Sequence, residues 1–174
     1  PPRHYAAAFL REPVDALTVN PMLGTDSVTP FLDAAAEGGR GLFILVRTSN
    51  PGAAELEDIE LADGRPWHEA VADRVRQWGE ATTVAGQGSS IGAVVGATVP
   101  QRIHRLRELM PDQPFLLPGV GAQGGDPAEL GPAFGGRANG ALVSASRSVI
   151  YADDPAAAAR ALRDVVWTAW EQGA

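Results

Sequence analysis

The chain has 174 residues, 45% of them hydrophobic and 20% charged, a composition that suits one globular domain with a sizeable core. Its 14 basic residues against 21 acidic ones give a formal net charge of −7, and no basic cluster offers a nucleic-acid surface. There is no cysteine for disulfides or thiolate metal sites and no signal peptide or long apolar span, so a cytoplasmic protein that does not enter a membrane is expected.

In chain order, Tyr5 to Leu10 reads as the end of a helix feeding a first apolar run, Val14 to Val19. Further strand-length runs follow at Gly41 to Val46, Ile91 to Ala97, Pro114 to Leu117 and Ala141 to Val143. Each is continuous, which predicts burial on both faces of a parallel sheet. Helical spacing lies between them. Ser27 to Glu37 puts Val28, Phe31, Leu32 and Ala35 on one face, and Trp67 to Trp78 does the same with Ala70, Val71, Val75 and Trp78. Gln101 to Met110 offers Ile103, Leu106 and Met110, with Arg102, Arg105 and Arg107 expected in solvent. Asp153-Asp154-Pro155 supplies a capping carboxylate and a first-turn proline for a last helix, Pro155 to Trp170. The polar, glycine-containing stretch 79–90 is a candidate mobile loop.

Alternating strands and helices define an α/β fold. Five strands fit either an open doubly wound sheet or the last five strands of an eight-stranded barrel. No Gly-x-Gly-x-x-Gly turn follows the first strand, and the glycine-rich loop comes late. Barrels frequently build a phosphate site from the loops after strands seven and eight, where two motifs would then fall. These are Pro118-Gly119-Val120-Gly121-Ala122-Gln123-Gly124-Gly125-Asp126-Pro127 and Ser144-Ala145-Ser146-Arg147. Glycine lets backbone N–H groups approach an anion, and arginine adds a permanently charged fork. The loops 118–127 and 144–148 are therefore assigned to phosphate. Gln123 has an amide able to donate and accept at once, although alone it reads equally as an exposed loop residue. Arg47-Thr48-Ser49-Asn50-Pro51-Gly52 is a plain turn or, through Ser49, a contact for a polar ring edge. His4, His68 and His104 lack metal spacing and are expected on surfaces or helix faces. The acidic run Glu55, Glu57, Asp58, Glu60 is expected to be a solvated face.

Five segments in order carry a family pattern: Val19-Asn20-Pro21 with Leu23-Gly24, Val46 to Gly52, Gly92 to Thr98, Pro118 to Asp126, and Ala145-Ser146-Arg147. Together they resemble orotidine 5′-phosphate decarboxylase, in its longer bacterial subgroup found in actinobacteria. The resemblance implies a (β/α)₈ barrel of TIM type, with residues 1–174 as the C-terminal portion of its single domain, strands four to eight. It also implies a homodimer with active sites near the subunit interface, orotidine 5′-phosphate or UMP as ligand, and no cofactor or metal. By position in the motifs, Ser49 would contact the pyrimidine, Gln123 would link pyrimidine and phosphate, and Arg147 would bind the phosphate. The backbone at Gly124 and Ser146 would complete the phosphate cup, and the loop from Gly119 to Gly125 would close over ligand.

One departure is large. Family members carry Asp-x-Lys-x-x-Asp after the third strand and a further lysine at the second, whereas every basic residue here is arginine. The motif is expected upstream of Pro1, so no catalytic residue is assigned within the chain. Three readings follow: a decarboxylase whose catalytic segment lies elsewhere, a non-catalytic nucleotide-binding or partner-stabilising relative, or another barrel enzyme acting on a phosphorylated sugar or nucleotide. Five barrel strands alone leave two open edges, which calls for an N-terminal segment or a complementing chain.

Overall fold

The computed structural model describes residues 1–11 and 13–173. The chain opens with α1 (Pro2–Phe9), then β1 (Ala16–Val19), α2 (Thr25–Gly38) and β2 (Gly41–Arg47). A short helix α3 (Ala53–Glu57) leads to α4 (Trp67–Gly79), followed by β3 (Ile91–Val95), α5 (Pro100–Leu109) and β4 (Phe115–Leu117). Two 3₁₀ turns precede β5 (Ala141–Val143), and α6 (Arg147–Ile150) and α7 (Pro155–Gly173) close the chain. Each expected strand is present, with ends moved by up to two residues where turns or a proline take over. Asp154 caps the last helix as expected, its Oδ1 accepting from the Ala157 N–H at 2.9 Å.

The five strands are parallel and stand in the order β1-β2-β3-β4-β5. A doubly wound sheet needs a point where strand order reverses; there is none here, so the crossovers share one face, as in a barrel wall. On that face Leu42, Ile44, Val46, Phe115 and Leu117 are wholly buried. On the other face the expected burial holds at β3, where Val94 is buried, and fails at the open edge. Leu45, Val94, Leu116 and Leu142 lie in one register row across β2 to β5, and Leu142 at the open edge is 55% exposed. This row faces the side that a closed barrel would turn into its lumen, which explains apolar runs without alternation. Beside the same edge, an apolar cavity of about 380 Å³ lies between β5 and α7, lined by Val143, Leu162, Val166 and Trp170.

Three further expectations are corrected. Arg107 is buried, not in solvent: its guanidinium lies 3.7 Å from the Phe115 ring centroid and donates to the carbonyls of Met110, Pro111, Gln113, Ala133 and Gly140. It thereby ties the end of α5 to the entrances of β4 and β5. His68 lies on a helix face as expected, but a buried one, where Nδ1 meets Glu57 O and Asp58 Oδ1. Of the acidic run, Glu57 and Asp58 turn inward to Arg47 and Thr48. The 79–90 stretch folds into a 3₁₀ turn (Glu80–Thr82) and a Val84–Gly88 bridge, with Ser89 buried and donating to Gly79 O at 3.1 Å. No helix among the described residues is long and apolar enough to cross a membrane.

Candidate active site

The C-terminal ends of β2, β3, β4 and β5 converge. The Gly96 N–H donates to Arg47 O at 2.6 Å, the Ala97 N–H to Pro118 O at 2.8 Å, and the Ser144 N–H to Leu117 O at 3.0 Å. These bonds continue the sheet one step past its strands and bring the following loops together. Two glycines allow the closeness. A Cβ on Gly96 would lie 2.8 Å from Ser49 Cα, and one on Gly119, whose φ is +100°, would lie 2.8 Å from Ser49 Cβ.

Between these loops is a cavity of about 220 Å³ lined by Ser49, Gly119, Gln123, Ser144, Ser146 and Arg147, among others. Ser49 Oγ donates to Gln123 Oε1 at 2.9 Å. Since the amide oxygen is engaged, the Gln123 NH₂ keeps two donors for a ligand. Arg147 opens α6, is exposed and has no side-chain hydrogen bond or ion pair among the described residues. Ser146 is the residue before α6, and its side chain does not cap the helix. Four of the five residues singled out in the sequence thus line one cavity. Gly124 does not line it, and its N–H donates to Gly121 O at 2.8 Å, closing the glycine turn.

Beneath Ser49 lies a network that the sequence did not reveal. A β-bulge between Leu45 and Arg47 puts Arg47 in register with Val95, so Val46 and Arg47 are buried in succession. Arg47 then meets Asp58 through Nε at 2.9 Å and Nη2 at 3.0 Å, a two-pronged ion pair. That hydrogen-bonded guanidinium holds the Asp58 carboxyl below the ordinary carboxylate range against the opposing effect of burial, with smaller help from His68 and Arg102. His68 Nδ1 sits 2.8 Å from Glu57 O and 3.1 Å from Asp58 Oδ1, two acceptors that select the tautomer with its N–H at Nδ1. Glu57 clasps Thr48, accepting from its N–H at 2.8 Å and sharing its hydroxyl proton, at 2.9 Å, with Asn50 Oδ1 at 2.7 Å. The signal available in the sequence was the carboxylate pair Glu57-Asp58 ten residues after a buried-strand arginine. Among the described residues no group of three His, Cys, Asp or Glu side chains is placed to hold a metal ion.

Sequentially ordered parallel strands with a polar cavity at their C-terminal ends define the class, a segment of an α/β barrel of enzyme type. Residues 3–162 match the family described as "Orotidine 5′-phosphate decarboxylase / HUMPS family", and the chain belongs to that family. Curated relatives include the orotidine 5′-phosphate decarboxylase of Halorubrum lacusprofundi, 45% identical over 157 residues that make up 87% of this chain and 52% of that protein. That of Haloarcula marismortui is 49% identical over 84% of this chain and 49% of its own length. The chain spans about half the length of these relatives. Among solved structures, the OMP decarboxylase of Leishmania donovani superposes with a TM-score of 0.80 at 33% identity, over 97% of this chain and 63% of that one. The structure of UMP synthase from the same organism gives 0.78 at 35% identity, over 94% of this chain and 35% of that one.

Proposed function

We propose that the protein containing this chain decarboxylates orotidine 5′-phosphate to UMP and carbon dioxide in pyrimidine biosynthesis, and that residues 1–174 supply the part of its barrel that grips the nucleotide. The observation that carries this reading is the Ser49–Gln123 bond on the wall of a cavity that also holds Arg147, whose side chain has no partner among the described residues. Arg147 binds the phosphate, with the backbone around Ser146 completing the cup; Gly124, whose N–H is committed to Gly121 O, only shapes the 118–127 loop. Ser49 meets the pyrimidine edge, and Gln123 links ring and phosphate. Breaking the bond from C6 to the carboxylate carbon releases carbon dioxide and leaves an electron pair at C6. Rate acceleration requires that this charge be stabilised more than the substrate's. Grip on the remote phosphate contributes binding energy for orienting the ring.

No Asp, Glu or His among the described residues lines the cavity, and the chain has no lysine, so in this reading the proton that C6 then takes comes from outside these residues. In this reading it belongs to the family's Asp-x-Lys-x-x-Asp motif on the barrel strands that complete the wall. The open edge at the exposed Leu142 and the apolar cavity beside α7 are where such strands, from the same chain or a complementing one, would pack. A cytoplasmic homodimer belongs to the same proposal. The absence of lysine also favours a second reading, a non-catalytic relative that only binds the nucleotide.

Orotidylate turnover and UMP binding by the full-length gene product separate the two. Turnover supports the decarboxylase; binding without turnover supports the second reading. In either, Arg147→Ala lowers UMP affinity by about tenfold to a hundredfold, the loss expected for a charge-assisted contact. A wild-type protein that binds no UMP overturns both.

A further inference from the structure

Ser49 sits on a loop, and a loop hydroxyl holds its aim only if the backbone on either side is fixed. The residue just before it is gripped by one carboxylate: Glu57 Oε2 accepts the Thr48 N–H at 2.8 Å, and its Oε1 lies 2.9 Å from the Thr48 hydroxyl, whose one proton it shares with Asn50 Oδ1 at 2.7 Å. Glu57 is itself fixed. Arg47 Nη1 lies 3.6 Å from its Oε2 and donates to Thr48 O at 2.8 Å, while Nε and Nη2 of that guanidinium are engaged by the two oxygens of Asp58. His68, buried at the start of α4, holds the Glu57 carbonyl and Asp58 Oδ1. The chain of contacts runs from a rigid helix through two carboxylates to the main chain at Thr48. None of its side chains from Arg47, Glu57, Asp58 or His68 lines the cavity.

We infer that Glu57 is a positioning residue for the candidate site, acting through Thr48 to aim the Ser49 hydroxyl at Gln123 and at the ring edge of a bound nucleotide. The inference rests on the proposed nucleotide site. A purely structural clasp would support the whole barrel end alike; a positioning clasp affects the ring contact and spares the phosphate contact, which is built on the loops after β4 and β5. Chemistry supplies a conservative replacement. In Glu57→Gln the amide oxygen still accepts the Thr48 N–H, and the amide NH₂ donates to the Thr48 hydroxyl oxygen.

The test uses the full-length gene product, folded as judged by circular dichroism, with UMP and ribose 5-phosphate as probes. Glu57→Ala is expected to weaken UMP by about five- to tenfold, the worth of one lost hydrogen bond, and to leave ribose 5-phosphate unchanged. Glu57→Gln is expected to restore UMP affinity. In a Ser49→Ala background, Glu57→Ala should cost nothing further, because residues acting through one contact are not additive. Equal loss of both ligands, additive loss in the Ser49→Ala background, or unchanged UMP affinity in Glu57→Ala would overturn the inference. Should Glu57→Ala fail to fold, Thr48→Val removes one of the two bonds in its place and faces the same criteria. A wild-type protein that ignores UMP fails the site itself, an outcome distinct from one that binds UMP and is indifferent to Glu57.

Discussion

Ser49 and Gln123, on the loops after β2 and β4, are joined by a 2.9 Å hydrogen bond across 74 positions of sequence. The serine hydroxyl donates and the amide oxygen accepts, which fixes the amide with its NH₂ turned away from Ser49 and available to an incoming anion or carbonyl. Two substitutions separate these uses. Gln123→Ala removes the donors and should weaken UMP by about tenfold, whereas Gln123→Glu adds a negative charge beside the phosphate position and should weaken it further. Isothermal titration calorimetry on the full-length gene product reads both. Equal and unchanged affinities would remove Gln123 from the site.

The approach of those two loops depends on missing side chains. A methyl group on Gly96 would meet Ser49 and Thr48 backbone atoms at 2.8 to 3.0 Å, and one on Gly119 would meet Ser49 Cβ at 2.8 Å and Gln123 Oε1 at 3.0 Å. Backbone cannot yield as a flexible side chain can, so Gly96→Ala must displace the Ser49 loop. Gly119→Ala adds the strain of a left-handed conformation, of order 1–2 kcal/mol. Both variants should retain the far-ultraviolet circular dichroism of the parent and lose more than about tenfold in UMP affinity. Full affinity in Gly96→Ala would show that Ser49 need not stand where it does.

Strands and site loops were legible for the same reason: both are written in local chemistry. Unbroken apolar runs at Gly41 to Val46 and Ile91 to Ala97 require burial, and Pro118 to Pro127 is punctuated so heavily by glycine that only a turn suits it. What one-dimensional patterns could not carry was the direction of charged side chains. Arg107 shares a helix with Arg102 and Arg105, and its inward aim depends on carbonyls of residues up to 33 positions away. Arg47 turns inward because of a bulge, a register event between two strands that neither strand's residues announce. Once Arg47 is inside, Glu57 and Asp58 acquire a partner, His68 closes on them from α4, and a run that looked solvated becomes the support of the site.

Arg107 offers a stability measurement away from the cavity. Burial, and next the nearby Arg137, push its guanidinium down to about 9, still above neutral pH, so it is charged while surrounded by carbonyls. A depressed cation means that the unfolded chain binds more protons between the folded value and the ordinary one; stability rises with pH only in that alkaline window and is flat at pH 5 to 8 as far as Arg107 is concerned. Arg107→Met leaves several carbonyls without a partner and should cost about 3 kcal/mol or more, lowering the melting temperature by roughly 6–12 °C. Arg107→Lys should recover little, because a single ammonium cannot reach all five carbonyls. Calorimetry that finds either variant as stable as the parent would contradict this account.

Asp58 gives a pH dependence of the same sign at the acid end of the scale. Arg47 holds its carboxyl below the ordinary range, so the folded state binds fewer protons than the unfolded one as pH falls into the carboxylate range. The stabilisation is complete above the unfolded pKa, about 4, and is lost as pH drops through the lower folded value. Asp58→Asn keeps the shape but removes the charge facing a buried guanidinium. At pH 7 it should cost about 1–3 kcal/mol, less than a fully buried pair because the Asp58 side chain is 25% exposed. The gap between parent and variant should narrow as urea melts are repeated from pH 5 downward, since acid neutralises the parent's carboxylate too. A gap that stays constant from pH 7 to pH 3 would mean that the Arg47–Asp58 pair contributes through packing alone. In that case the network beneath Ser49 would owe its hold on Thr48 to Glu57 and the bulge, with the Asp58 charge playing no part.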